Sequence, residues 1–179
     1  QRVIRIALSL LVAFLLCVAM LAFFQRSLIY LPSRMSHIEP RDAGLPDGQV
    51  HTVTVTTDDG LQLRGWHILP DGVTAENSEQ CDERLAQDQP VVVYFSGNAA
   101  NRINRTVNFE VFTRLGCHVL VFDYRGYGEN PGSPSEEALT DDARAIWNYA
   151  VETRDIAADR LFLFGESLGG GVSLRLAAE

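Results

Sequence analysis

Leu161-Phe162-Leu163-Phe164-Gly165-Glu166-Ser167-Leu168-Gly169-Gly170 is a short apolar run that ends in a Gly-x-Ser-x-Gly turn and enters a helical stretch. A continuous apolar run bounded by a turn predicts a strand covered on both faces, as in a parallel sheet. The turn that follows has to be sharp. Gly165 and Gly169 stand two residues before and two after Ser167, where a tight strand-to-helix reversal leaves no room for side chains. Such a turn strains the serine backbone, lifts the hydroxyl clear of the sheet and aims the free N–H groups of the next helix at developing negative charge. Ser167 is therefore the candidate nucleophile. A Gly-rich turn with a capping serine is one alternative. A Walker-type phosphate loop is another, but it needs a Gly-Lys-Ser/Thr ending that is absent.

The same alternation extends upstream. Val91 to Phe95 and Val119 to Phe122 are continuous apolar runs, read as buried strands. Asn101 to Leu115 reads as a helix between them. A second helix is predicted over Pro134 to Arg154, with Ser133 as N-cap, Pro134 at the first helical position and Glu136 completing a capping box. Leu139, Ala143, Ile146, Trp147 and Ala150 form its apolar stripe. Strand and helix in alternation mean a parallel sheet with right-handed crossovers. In front, Thr52 to Thr56 alternates as a half-buried strand, Asp58-Asp59-Gly60 signals a hairpin turn, and Leu61 to Leu69 returns. Asp71 to Gln89, acidic and poor in large apolar residues, reads as a mobile surface loop. The fold class is α/β, a mostly parallel sheet with an antiparallel N-terminal hairpin.

Acyl transfer needs two N–H donors for the oxyanion. One is expected from Leu168, directly after the serine. The other is expected from the loop after the first parallel strand, Ser96-Gly97-Asn98-Ala99-Ala100-Asn101, where Gly97 lets the backbone approach substrate and Asn98 is placed to donate. A plain turn with a helix N-cap would use the same residues.

Ile6 to Phe24 is 19 residues without a charge, with Ser9 its one polar residue. As a helix it spans roughly 28 Å, close to the hydrocarbon thickness of a bilayer. A transmembrane anchor is the expectation. A cleaved signal peptide is the rival, but the run exceeds the usual length and no small-x-small site follows. Residues 1–26 are then the anchor, 27–48 a membrane-proximal connector ending in a turn-rich stretch, and 49–179 the N-terminal part of the α/β domain. Arg2 and Arg5 before the run, against Arg26 and Arg34 after it, encode a single-pass orientation weakly, leaning to an extracytoplasmic domain.

The 179 residues carry a net charge of −8 and show no Lys/Arg stripe, which argues against a nucleic-acid partner. Cys17, Cys81 and Cys117 fit neither a disulfide framework nor a zinc site. Cys17 and Cys117 read as small hydrophobes, and Cys81 as a free thiol in a polar loop. No metal or cofactor is expected.

Phe95-Ser96-Gly97-Asn98-Ala99, Asp123-Tyr124-Arg125-Gly126-Tyr127-Gly128 with Gly132 to Glu136, and Gly165 to Gly170 occur in the order and spacing of a known family. With the anchor, Leu28 to Pro32, and Asp59-Gly60-Leu61 to Gly65-Trp66, the chain resembles the α/β-hydrolase-domain proteins. That group includes membrane-tethered lysophospholipases, protein depalmitoylases and many bacterial relatives. The resemblance implies the α/β-hydrolase fold and a serine hydrolase acting on an acyl ester or thioester, with a lipid-linked substrate suggested by the anchor. A serine peptidase on the same fold and a non-catalytic membrane adaptor are the alternatives. The family usually has His where this chain has Ser96, which puts the bracing of the oxyanion loop in question. For Asp123 and Arg125 it implies a structural role. The triad acid and His follow the serine in this fold, yet after Ser167 there is neither Asp nor His. His37, His51, His67 and His118 all precede it and are poor candidates for the base. The C-terminal half of the fold, three more strands with the acid and base, is thus expected beyond Glu179. This stretch alone is expected to be inactive and to leave its last strand as an apolar edge.

Overall fold

Val91–Phe95 and His118–Phe122 are apolar on both sides, and such segments are stable only inside a covered sheet. In the computed structural model, which describes all of residues 1–179, they lie at the centre of five strands. Along the chain the elements are α1 (Arg2–Ile29), β1 (Val50–Thr56), β2 (Gln62–Ile68), α2 (Ser78–Leu85), β3 (Val91–Phe95), α3 (Thr106–Arg114), β4 (His118–Phe122), α4 (Glu136–Asn148), β5 (Leu161–Gly165) and α5 (Leu168–Ala177). The sheet order is β1-β2-β4-β3-β5. β4, β3 and β5 run parallel, and the β1–β2 hairpin joins antiparallel through β2. This is the mixed sheet expected from the alternation of elements. β5 forms one edge, with Phe162 and Phe164 exposed.

The chain forms two units, Gln1–Leu31 and Pro32–Glu179. The first is essentially α1, 28 residues and ~42 Å long. It contains the uncharged run Ile6 to Phe24 and is long and apolar enough to cross a membrane. In the second unit the core gathers Trp66, Ile68, Val92, Tyr94, Phe109, Val119 and Val121. Ile38 and Ala43, from the turn-rich stretch before the sheet, join it. Residues 33–35 are stitched to the loop after β4: Gly128 donates to Ser33 and Met35 donates to Gly128.

Two local expectations are corrected. The helix after Pro134 starts at Glu136, not at Pro134, and its N-cap is Ser135, whose hydroxyl accepts from Ala138 N–H at 3.2 Å. Ser133 and Pro134 lie ahead of the helix, next to Gly132, whose φ of 91° only glycine adopts readily. Within 71–89, read as a mobile loop, Ser78–Leu85 is a helix capped by Asn77. Arg160 donates to the carbonyls of Leu85 and Gln89, and Arg154 pairs with Asp82, so the segment is fastened to residues far along the chain.

That helix buries Cys81, which is not a surface thiol. Its sulfur lies 2.9 Å from His67 Nδ1, His67 Nε2 lies 2.9 Å from His118 Nδ1, and His118 Nε2 lies 3.0 Å from Gln89 Oε1. An amide oxygen only accepts, so the chain has one consistent direction. Cys81 S–H donates to His67, His67 to His118, and His118 to Gln89, with both rings neutral. Burial pushes His67 well below the usual histidine range and His118 down to about 4, assisted by Arg154 near both rings and Arg160 near His118. Burial also pushes the Cys81 thiol up to about 11.

Both imidazoles are depressed in the folded state, so the unfolded chain binds more protons below its histidine range near 6.5. Their contribution is therefore complete above pH 6.5 and is lost as pH falls toward 4. The slope is about 1.4 kcal/mol per pH unit for each ring. Thermal melts of wild type and His118→Gln between pH 7 and 5 check this. The wild-type melting temperature should fall more steeply, and parallel curves would contradict a neutral relay.

Candidate active site

Ser167 sits where β5 ends and α5 begins. Its φ of 50° and ψ of −108° are strained for a residue with a side chain, at a cost on the order of 1–3 kcal/mol. The residue is exposed and its hydroxyl makes no capping bond to the helix, which separates it from an ordinary capping serine. Leu168 is the first residue of α5, a position whose N–H has no partner within the helix.

The two glycines of the turn are explained by contact. A Cβ at Gly165 would fall on the backbone of Gly169, and a Cβ at Gly169 would fall on the Phe95 carbonyl, 2.5 Å from its carbon and 2.8 Å from Ser96 O. The start of α5 is thus seated directly on the end of β3. Glu166 N–H donates to Phe95 O at 3.0 Å and completes the register Phe95↔Gly165. This seating brings the turn and the loop Ser96 to Asn101 together, so the residues expected for nucleophile and oxyanion donors meet at one edge of the sheet.

A Gly169→Ala substitution tests the seating. Both clashing partners are backbone, so α5 has to shift. Overpacking of this kind costs about 1–3 kcal/mol, and misplacement of reacting groups by about 1 Å costs around 100-fold in rate. Gly171, with nothing within 4 Å of its Cβ position, is the control. Gly171→Ala should melt at or above wild type and Gly169→Ala below it. Equal melting of the two would contradict the seating.

The loop Ser96 to Asn101, from which an oxyanion donor is expected, is held from its neighbours. Tyr124 O–H donates to Ser96 O at 2.9 Å, and Tyr127 O–H donates to Asn98 Oδ1 at 2.7 Å. Asn101 caps the turn that follows, accepting from Ile103 N–H at 3.1 Å. The Ser96 hydroxyl is buried without a hydrogen-bond partner. On the other flank the Glu166 carboxylate accepts from Tyr94 O–H at 2.9 Å and pairs with Arg105 Nε at 2.7 Å. It lies 3.1 Å from the Cβ position of Gly97, so any larger residue there would press on it. Tyr124, Tyr127 and Glu166 lie inside the quoted motifs, but the motifs assign them no contact, and Arg105 lies outside them.

Asp123 and Arg125 are engaged structurally. Asp123 accepts from Arg102 N–H at 2.8 Å and from its guanidinium at 2.5 Å, in full burial. Arg102 also reaches Glu129 and lies over the Trp66 ring. Arg125 forks onto Asp142, which is buried, and onto Asp59 in the β1–β2 turn. The histidines are occupied elsewhere. His67 and His118 form the buried relay, His51 faces Gly48 O on β1, and His37 pairs with Glu39 and Glu129. His118 opens β4, at the end of the parallel strands opposite Ser167.

A hydrolase family model described as serine aminopeptidase, S33, matches residues 86–179. Among curated proteins, an uncharacterized protein of Mycobacterium tuberculosis is 37% identical over 155 residues, covering 87% of this chain and 50% of its own length. The lysophosphatidylserine lipase of Danio rerio is 33% identical over 143 residues, covering 76% of this chain and 36% of its own. The chain thus spans half the length of these relatives or less. Among solved structures, an α/β hydrolase from Vibrio vulnificus superposes with a TM-score of 0.61 at 24% identity, over 79% of this chain and 46% of that one. A Pyrococcus furiosus esterase gives 0.58 at 22% identity, over 84% and 53%. The structural likenesses carry the fold, and the family model spans more than half of the chain. This chain belongs to the α/β-hydrolase family, in the group described as serine aminopeptidase, S33.

Proposed function

We propose that Ser167 is the nucleophile of a membrane-anchored serine hydrolase that cleaves an acyl ester or thioester. The carrying observation is the strained, exposed Ser167 at a strand-to-helix turn seated on the end of β3. In this reading Ser167 Oγ attacks the acyl carbonyl, and the N–H groups of Leu168 and Asn98 receive the oxyanion. None of the four histidines of the chain serves as the base. α1 supports a single-pass anchor, and the lysophosphatidylserine lipase relative supports a lipid-linked acyl substrate at a membrane.

Fluorophosphonate labelling of the product of the complete gene, with Ser167→Ala beside it, tests the assignment. Label that depends on Ser167 is expected, and equal labelling of both proteins would sink it. A serine peptidase is the second reading, favoured by the description of the family model. Turnover of an aminoacyl amide at the rate of an acyl ester would select it.

A further inference from the structure

The geometry points to Tyr127, with Tyr124, as positioning residues that hold the oxyanion loop in its working shape. The inference rests on the assignment of Ser167 and Asn98 above and adds what fixes the second donor. An oxyanion hole stabilises charge only if its N–H groups already point at the place where charge develops. The Asn98 N–H sits in a loop of unusual backbone shape. Gly97 precedes it, and Ala99, with φ at 59°, follows in a left-handed conformation that non-glycine residues avoid. The hydroxyl of Ser96 gives no support, because it has no partner.

The support comes from the loop after β4. Sheet order places β4 beside β3, so the loops that follow them are neighbours. A turn closed by Tyr127 N–H donating to Tyr124 O at 2.9 Å sets both rings on the same side. The rings are buried and meet edge to face at 5.8 Å, which leaves neither phenol free to wander. Each hydroxyl reaches a different part of the oxyanion loop. Tyr124 fixes Ser96 O, and with it the peptide plane immediately before the one that carries the Asn98 N–H. Tyr127 fixes Asn98 Oδ1, which also accepts from Ala99 N–H at 2.9 Å. The Asn98 carboxamide is thereby a strut. Its Oδ1 is tied both to the left-handed residue of its own loop and to the neighbouring loop. The donor N–H lies between two pinned points.

A role of this kind is felt when charge develops on the substrate oxygen and hardly at all in ground-state binding. The test uses the product of the complete gene with a p-nitrophenyl ester, in wild type, Tyr127→Phe, Asn98→Ala, the double variant, Tyr124→Phe and Ser167→Ala. Asn98→Ala keeps the backbone donor and removes the carboxamide that forms the strut. Expected are a kcat roughly tenfold lower in Tyr127→Phe and Asn98→Ala, with KM within about twofold. The double variant should be no slower than Asn98→Ala, because both changes break one link. Tyr124→Phe should lower kcat in the same way. Losses that multiply in the double variant, or a wild-type kcat in Asn98→Ala, overturn the strut. Should Tyr127→Phe fail to fold, Asn98→Ala alone decides. An unchanged kcat in Tyr124→Phe removes that residue from the brace. Turnover retained in Ser167→Ala instead overturns the nucleophile assignment and leaves the hydrogen bonds standing.

Discussion

Ser167→Gly is expected to abolish ester turnover while raising the melting temperature. Loss of a serine nucleophile alone lowers kcat by about a million-fold in well-developed hydrolases of this chemistry, so residual activity should sit at background. The stability change has a separate origin. Ser167 holds φ at 50° and ψ at −108°, a region that costs a side-chain-bearing residue on the order of 1–3 kcal/mol and costs glycine little. Its hydroxyl makes no capping bond that would be lost with the side chain. Glycine in the unfolded chain is more flexible and returns part of the gain, roughly 0.5–1 kcal/mol. A net rise of about 1 kcal/mol corresponds to a few degrees. Ser167→Ala keeps the strain, so it should lose activity without the rise in melting temperature. Two proteins equally dead and differing in stability would tie the strain to the position of the nucleophile. An inactive Ser167→Gly that melts below wild type would argue that the turn is not strained in this way.

Much of this architecture is legible in the chain because the local patterns and the tertiary solution agree. Val91 to Phe95 is apolar at every position and becomes β3 with those limits. The glycines around Ser167 announce a turn in which the backbone of α5 meets that of β3. Where pattern reading fails, the deciding partner is remote. α2 looks like a loop because only Cys81 and Leu85 of its eight residues are buried, and its fastening comes from Arg154 and Arg160. Ser133 followed by Pro134 carries the signature of a helix start, yet the helix begins at Glu136 and Ser135 becomes the cap. The roles of Tyr124 and Tyr127 depend on β4 lying beside β3, which strand order in space decides and sequence order hides. Ser96 offers no bond from its own hydroxyl, and nothing at that position says which distant residues hold its loop.

Asp123→Ala is expected to lower stability by about 3–5 kcal/mol, the range for removing one partner of a buried ion pair. Arg102 is fully buried, its Nε has no hydrogen-bond partner, and its guanidinium is balanced by Asp123 and Glu129. Without Asp123, one carboxylate remains, and the backbone N–H of Arg102 loses its acceptor as well. For a domain of this size the loss corresponds to a fall of roughly 6–20 °C in melting temperature. Asp123→Asn keeps an oxygen for the Arg102 N–H and should fall between alanine and wild type. The same pair also bears on the chemistry. Arg102 directly follows Asn101, the last residue of the oxyanion loop, and Asp123 directly precedes Tyr124, so the pair ties the two loops at their roots. Activity should therefore decline together with stability, and should recover in part on cooling as the folded fraction rises. A catalytic carboxylate would behave differently, because its loss leaves the melt unchanged and the activity absent at every temperature. An Asp123→Ala protein that melts with wild type yet turns over nothing would place Asp123 among the reacting groups, and one that melts early while the folded fraction still labels at Ser167 keeps it in the frame that holds them.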